Sequence, residues 1–386
     1  MLHNAPATIV HLINSLDGGG TERTLVSLLR SFDPAQLRHV VVPLRDAGTM
    51  ASLLPQHVAC RPLAVRGRSR LAWIRLARLA RRSDAAVIHA RNTGCWADAV
   101  LAGSVLRGVH VVLGFHGLQN TGPFSSRQRT IVKWAVHRGA GFTSVSEAGR
   151  RQLCEWGGVP PERVEVLTNG VDLQRFTPPY DDDRDRMRRA LGIRPDAFVM
   201  GSVGSLTPIK RYDVLLDATA RTARSLGNLH LVVVGDGPLR EKLQSQAGSA
   251  GIEDIVTFTG MREDIPDLLA CMDVYICSSE SEGMSNALLE ASAAGLPCIA
   301  TDVGDNALLV RDGVEGLIIR PGSPMLLADA ITQLARAETG RWRMGEAARA
   351  RARNHDFRAT VRRYEEYYVL GLMRTGPRGS LWRSSS

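Results

Sequence analysis

The sequence predicts an α/β protein of two doubly wound domains, each a parallel sheet with helices on both faces. Three observations predict it. Short apolar, β-branched runs alternate with helix-length amphipathic segments, the pattern of strands joined by crossover helices. The alternation breaks once, near residues 177–195, and then restarts. A chain of 386 residues, 44% hydrophobic and 23% charged, is long enough for two cores.

In the first half, "ATIVHLIN" reads as a buried strand, "SLDGGG" as its loop and "TERTLVSLLRSF" as the helix that follows. The runs "HVVVPL", "AAVIHA", "VHVVLGFH", "GFTSVS" and "VEVLTNG" supply further strands, with helical segments between most of them. The stretch "TPPYDDDRDRMRRALG" has paired prolines and dense charge, the composition of a linker that feeds a short helix. Strands resume with "AFVMGSVGS", "LHLVVVGDG", "DIVTFTG", "DVYICSS", "LPCIATDVG" and "VEGLIIRPG". Beyond residue 340 the chain reads as helical. The tail "RTGPRGSLWRSSS" carries too little apolar surface to pack. The expected division is a Rossmann-like domain over 1–176, a linker over 177–195, a second Rossmann-like domain over 196–355, a helix over 356–371 and a disordered tail over 372–386. Ligands of open α/β sheets bind at the carboxyl ends of strands. Two such edges facing across a cleft would let each domain carry one substrate.

Composition narrows the function. No run of about 18 apolar residues is present to span a membrane. The N-terminus lacks the basic start and apolar core of a secretory signal, so a cytoplasmic location is expected. Six cysteines, at 60, 95, 154, 271, 277 and 298, have no C-x-x-C spacing and read as reduced core thiols. The net charge of +9 suggests phosphate-bearing partners. Almost all of the positive charge is arginine, and lysine occurs only at Lys133, Lys210 and Lys242.

The segment "SEGMSNALLE" follows the strand "DVYICSS". Ser285 is a candidate N-cap for the helix "NALLEASAAG", which Gly295 would end. The helix N-terminus offers unpaired amides and a positive dipole end to a phosphate or hydroxyl group. Glu282 stands at its mouth, and Glu290 lies about 7–8 Å further along the axis, at ~1.5 Å per residue. Two separated carboxylates suit two hydroxyl-bearing parts of an extended ligand. The plainer alternative is a loop carboxylate and a solvated helix residue. "LDGGG" has glycines that let a backbone approach a ligand, at Gly19 and Gly20, and Glu22 supports the helix start. "LVVVGDGPLR" imitates a dinucleotide fingerprint, but Arg240 stands at the third glycine position, so it reads as a turn. The run Asp181–Asp183 reads as a solvated charge run, and Asn169 and Asp172 read as shaping the turn "TNGVD". No His/Cys/carboxylate spacing suits a metal, so neither metal nor cofactor is expected.

Taken together, "GSVGSLTPIKRYDVLLDA", "LVVVGDGPLREKL", "SESEGMSNALLEASAAGLPCIATDVG" and "RDGVEGLII" resemble the nucleotide-binding domain of the GT-B retaining glycosyltransferases of family four. "GGGTER", "GFHG", "SVSEA" and "LTNGVDLQRF" resemble its N-terminal domain. The resemblance covers roughly residues 8–371. It implies that Glu282 contacts the donor hexose, Glu290 the nucleotide ribose, and the amides of Gly283, Met284, Ser285, Asn286 and Ala287 the sugar and diphosphate. It puts Lys210 against the diphosphate and His116 near the transferred sugar, where its carbonyl or ring bonds a hydroxyl. Gly19 and Gly20 become donor-phosphate or acceptor contacts. The arginine that the family usually places before the lysine is replaced here by Ser205, and Arg211 stands where glycine is common. Lys210 then acts alone or with Arg211. The terminal helix is expected to cross back to the first domain.

The implied function is retaining transfer of a hexose from a nucleotide-diphosphate sugar to an acceptor hydroxyl. The implied acceptor is a lipid-linked glycan, lipopolysaccharide or exopolysaccharide precursor. A sugar-nucleotide epimerase and a non-catalytic nucleotide-sugar-binding protein are the competing readings. The basic segments 66–84 and 125–139 suggest either peripheral contact with an anionic membrane or ordinary arginine-rich outer helix faces. With 5% aromatic residues and no recognition module, nucleic acid is not an expected partner.

Overall fold

Among the described residues, the apolar runs pair into two parallel sheets. The computed structural model describes residues 6–65, 71–117, 123–178 and 181–375. The chain divides into two compact units, Met1–Asn169 with Arg358–Ser386, and Gly170–Phe357. The chain therefore passes between units at Asn169–Gly170, and Phe357–Arg358 is the return. Near these passages Val171 and Asp356 form an isolated bridge.

The first unit holds β1 (Ala7–Ile13), β2 (Leu37–Pro43), β3 (Ala59–Cys60), β4 (Ala85–Ala90), β5 (His110–Phe115), β6 (Gly141–Ser144) and β7 (Val164–Val166). Their order is β3-β2-β1-β4-β5-β6-β7, so the winding reverses between β1 and β4. The two-residue edge strand β3 is too short to show alternation and was not expected. Register settles which side chains share a face. His11 is level with His89, while Val10, Leu12, Val40, Val42, Ile88 and Ala90 turn the other way into a core with Trp96, Phe124 and Val132.

The second unit holds β8 (Phe198–Val203), β9 (Leu229–Val234), β10 (Val256–Gly260), β11 (Val274–Cys277), β12 (Cys298–Thr301) and β13 (Gly316–Ile319). Their order is β10-β9-β8-β11-β12-β13, with the reversal between β8 and β11. One face packs Met200, Leu231, Val233 and Ile276 against Leu215, Leu327 and Ile331 of the covering helices.

The stretch 177–195 is not a bare linker. Residues 179 and 180 lie outside the described part, but Asp181–Ala190 is a helix docked on the second unit. Its Arg188 is 4% exposed and donates to Asp273 Oδ2 at 2.8 Å, and Arg184 pairs with the same carboxylate. Asp273 also accepts from the Val199 amide at 2.7 Å. Density of charge marked a linker in the sequence. In the structure two of those charges meet a carboxylate that also caps a strand.

The last helix, Phe357–Thr375, belongs from Arg358 onward to the first unit. Tyr364 and Tyr368 are each 1% exposed. The expected disordered tail lies outside the described residues from 376 on. No described helix is long and apolar enough to cross a membrane.

Candidate functional site

The reversal of winding between β8 and β11 leaves a crevice at their carboxyl ends, because the crossovers leave in opposite directions. Two loops enter it. After β8 the chain turns through Gly204 and Ser205 into the short turn Pro208–Lys210 and the helix Tyr212–Ala223. After β11 it runs through Ser278–Ser285 into the helix Asn286–Ala293. The loops are joined: the Glu280 amide donates to Ile209 O at 2.8 Å, and Ser278 Oγ donates to Lys210 O at 2.8 Å.

This brings Lys210 and Glu282 together. Lys210 Nζ donates to Glu282 Oε1 at 2.5 Å, and Ser279 Oγ donates to the same oxygen at 2.7 Å. The side chains are 25% and 10% exposed, respectively. Burial works against the Lys210 charge, but the facing carboxylate outweighs it and lifts the lysine pKa above its usual value. Ser202, Tyr212, Tyr275, Cys277 and Ser285 also line the pocket around the pair. Its floor is mainly hydroxyl, with Lys210 as the cation among the lining residues.

The Glu282 loop is held from behind. The Asp305 amide donates to Gly283 O at 3.1 Å. Gly304, at φ +58°, lies so close that a Cβ there would fall 1.9 Å from Glu282 O. Thr301 Oγ1 donates to Ser279 O at 2.6 Å. Across the crevice, the turn after β9 presses on the β8 loop, where a Cβ on Gly235 (φ +132°) would fall 2.0 Å from Gly204 O. The glycines of "VGDGP" serve this close backbone contact.

Ser285 is the N-cap: its Oγ accepts from the Leu288 amide at 3.3 Å. Gly283 and Met284 are buried, while Asn286, Ala287 and Glu290 are half-buried. Glu290 lies four residues beyond Asn286 on the helix. Ser205 is exposed and outside the pocket lining. Arg211, at φ +50°, pairs with Asp213 at 3.0 Å and with Glu280 at 3.3 Å. Its guanidinium is thus engaged by two acids and stands apart from the Lys210 pocket.

Gly19, Gly20 and His116 belong to the first unit. Gly19 is the N-cap position of the helix Gly20–Ser31, beside the β1–β4 reversal. Glu22 folds back over it, and burial raises the Glu22 pKa. His116 follows β5, and burial, reinforced by Arg91, pushes its pKa down to about 3. Its Nε2 is buried and has no hydrogen-bond partner among the described residues. The ring is therefore a neutral polar group, not an imidazolium.

Sequence reasoning missed two features. Ser279 fixes the Glu282 carboxylate, and a lone serine after a strand carries no pattern. The second is a buried cluster under the last helix. Arg91, 1% exposed, donates to His11 Nδ1 at 3.1 Å and to the Tyr368 hydroxyl at 3.0 Å, with no carboxylate paired to it among the described residues. Since arginine only donates, Tyr368 is free to give its proton to His89 Nδ1, 2.9 Å away. Likewise His11 keeps its proton on Nε2 and donates to His39 Nδ1 at 2.9 Å. One arginine thus sets the tautomers of His11 and His39. The available signal was histidine recurring inside apolar strands.

Comparison with known proteins places the chain. The family model described as "Glycosyl transferases group 1" matches residues 183–351, and "Glycosyltransferase Family 4" matches residues 18–175. The D-inositol 3-phosphate glycosyltransferase of Thermomonospora curvata is 36% identical over 233 residues, 57% of this chain and 54% of that protein. The UDP-Gal:alpha-D-GlcNAc-diphosphoundecaprenol alpha-1,3-galactosyltransferase of Escherichia coli is 33% identical over 164 residues, 42% of each. The matched stretch thus spans about half the length, or less, of these curated relatives. Among solved structures, Anabaena HepE in complex with UDP-glucose has a TM-score of 0.83 at 24% identity, covering 94% of this chain and 99% of that one. With two family models in tandem over both units and this agreement in architecture, the chain belongs to the group 1 glycosyltransferases of GT-B fold.

Proposed function

We propose that the protein transfers a hexose from a nucleotide-diphosphate sugar to an acceptor hydroxyl, with retention of anomeric configuration and without a metal. The observation that carries this reading is the Lys210–Glu282 pair, set at the winding reversal of the second sheet and beside a helix N-terminus. Departure of a nucleoside diphosphate develops negative charge. Lys210 and the amides at Gly283–Ala287 stabilise it, through one full charge and the helix dipole. Glu282 accepts from hexose hydroxyls and Glu290 from the ribose. His116 offers a neutral ring to a substrate hydroxyl. The leaving phosphate takes the acceptor proton on the face it vacates, so no side-chain nucleophile is required.

The acceptor is a lipid-linked glycan or a related polysaccharide precursor, bound by the first unit. The E. coli relative, named for a diphosphoundecaprenol acceptor, supports this. Exposed Arg75, Arg78 and Arg82 on the helix Ala72–Arg82, with Leu71 60% exposed at its start, favour peripheral contact with an anionic leaflet. Residues 66–70 of that basic segment lie outside the described part.

A thermal-shift panel of UDP-, GDP- and ADP-sugars tests the donor reading. At least one raises the melting temperature, and that donor is turned over with an acceptor extract to give an anomerically retained product by NMR. A panel without any shift contradicts the reading.

A further inference from the structure

Lys210 is the cation of its pocket, and Glu282 already accepts its proton donor. A diphosphate oxygen and the Glu282 carboxylate are therefore rival acceptors for one ammonium group. We propose that Glu282 makes the site select an intact nucleotide sugar over the spent nucleoside diphosphate, by competing with the terminal phosphate for Lys210. The proposal rests on the donor-site reading above.

The carboxylate is poorly placed to retreat to water. It is 10% exposed, and Ser279 Oγ holds Oε1 at 2.7 Å. Cys277 Sγ lies 3.9 Å from the same oxygen. The loop behind it is pinned by the Asp305 amide and the close approach of Gly304. When a phosphate oxygen takes Lys210, Glu282 loses its charged partner in a place that hydrates it badly, which is costly.

An intact donor repairs that loss, because hexose hydroxyls donate to the freed carboxylate. A bare nucleoside diphosphate offers no such donor. Its terminal phosphate also carries additional negative charge toward Glu282. The nearby arginine does not relieve the repulsion, because Arg211 is paired with Asp213 and Glu280. The same carboxylate that welcomes the sugar thus expels the product.

The test is calorimetric titration of UDP, GDP and ADP onto the full chain and onto Glu282→Gln, which keeps the shape and removes the charge. The wild type binds at least one of the three, and Glu282→Gln binds it roughly tenfold more tightly, as expected for a close charge pair. The gain vanishes when Lys210→Met is the background, because it passes through the ammonium group. Circular dichroism melts establish that each variant is folded, and Glu282→Ala replaces Glu282→Gln with the same expectation if the latter is not. Equal or weaker binding without the carboxylate, or a gain that persists without Lys210, overturns the competition while the donor site stands. If neither the wild type nor Glu282→Gln binds any of the three diphosphates, both the competition and the donor site are overturned.

Discussion

Acidification tests the buried histidine cluster most sharply. His11 and His89 are fully buried and His39 is 2% exposed. Burial lowers the pKa of His39 to about 3, with Arg91 adding to the effect, and takes His11 and His89 well below the ordinary value for the same two reasons. The sign follows from linkage. The unfolded chain binds these protons near pH 6.5 and the folded chain refuses them, so stability is full above that pH and falls as pH drops toward 3. At pH 5 the unfolded chain gains about 1.5 pH units of protonation free energy per ring, or ~2 kcal/mol at ~1.4 kcal/mol per unit. His11 and His89 share this ceiling, because the unfolded value sets it. Three rings give up to about 6 kcal/mol, within the ~5–15 kcal/mol that holds a domain together. Hydrogen exchange at pH 7.5 and 5, corrected for intrinsic rates, reads the effect by unit: protection falls in β1, β2 and β4. Unchanged protection there, or a gain on acidification, would refute the assignment of neutral rings around an uncompensated arginine.

Further outcomes follow from single contacts. Tyr368→Phe removes the hydroxyl that accepts from Arg91 and faces His89, and urea unfolding of the first unit should show a loss of about 1–3 kcal/mol. Gly304→Ala puts a Cβ into Glu282 O at a positive φ, so nucleotide-sugar binding should fall at least about tenfold while circular dichroism stays native; unaltered binding would contradict the bracing role. Ser285→Ala removes the cap of the helix Asn286–Ala293 and should cost about 1 kcal/mol in urea unfolding of the second unit.

Much of this was legible in the sequence. Alternation of apolar runs revealed both sheets, because strands covered on both faces must be continuously apolar. Ser285 and Gly295 marked the limits of their helix through capping chemistry. Lys210 and Glu282 each stood out alone, one by rarity and one by its position after a strand. Their mutual contact needed the topology, since they are 72 residues apart and meet only because β8 and β11 are neighbours. The Arg211–Glu280 pair was hidden for the same reason, at a separation of 69. The Arg91 cluster draws on three strands and the last helix, and no local pattern joins residues 11, 39, 89 and 368. The short helix after the paired prolines was expected, but its docking was not legible, because Arg184 and Arg188 meet Asp273 at separations of 89 and 85 residues.

The most direct measurement of the central claim is a crystal structure with the tightest-binding nucleotide sugar of the panel. The account predicts the diphosphate on Lys210 Nζ and the Gly283–Ala287 amides, hexose hydroxyls on Glu282, and the ribose on Glu290. A nucleotide sugar seated elsewhere, or one bound while Lys210 and Glu282 still hold each other, would contradict it.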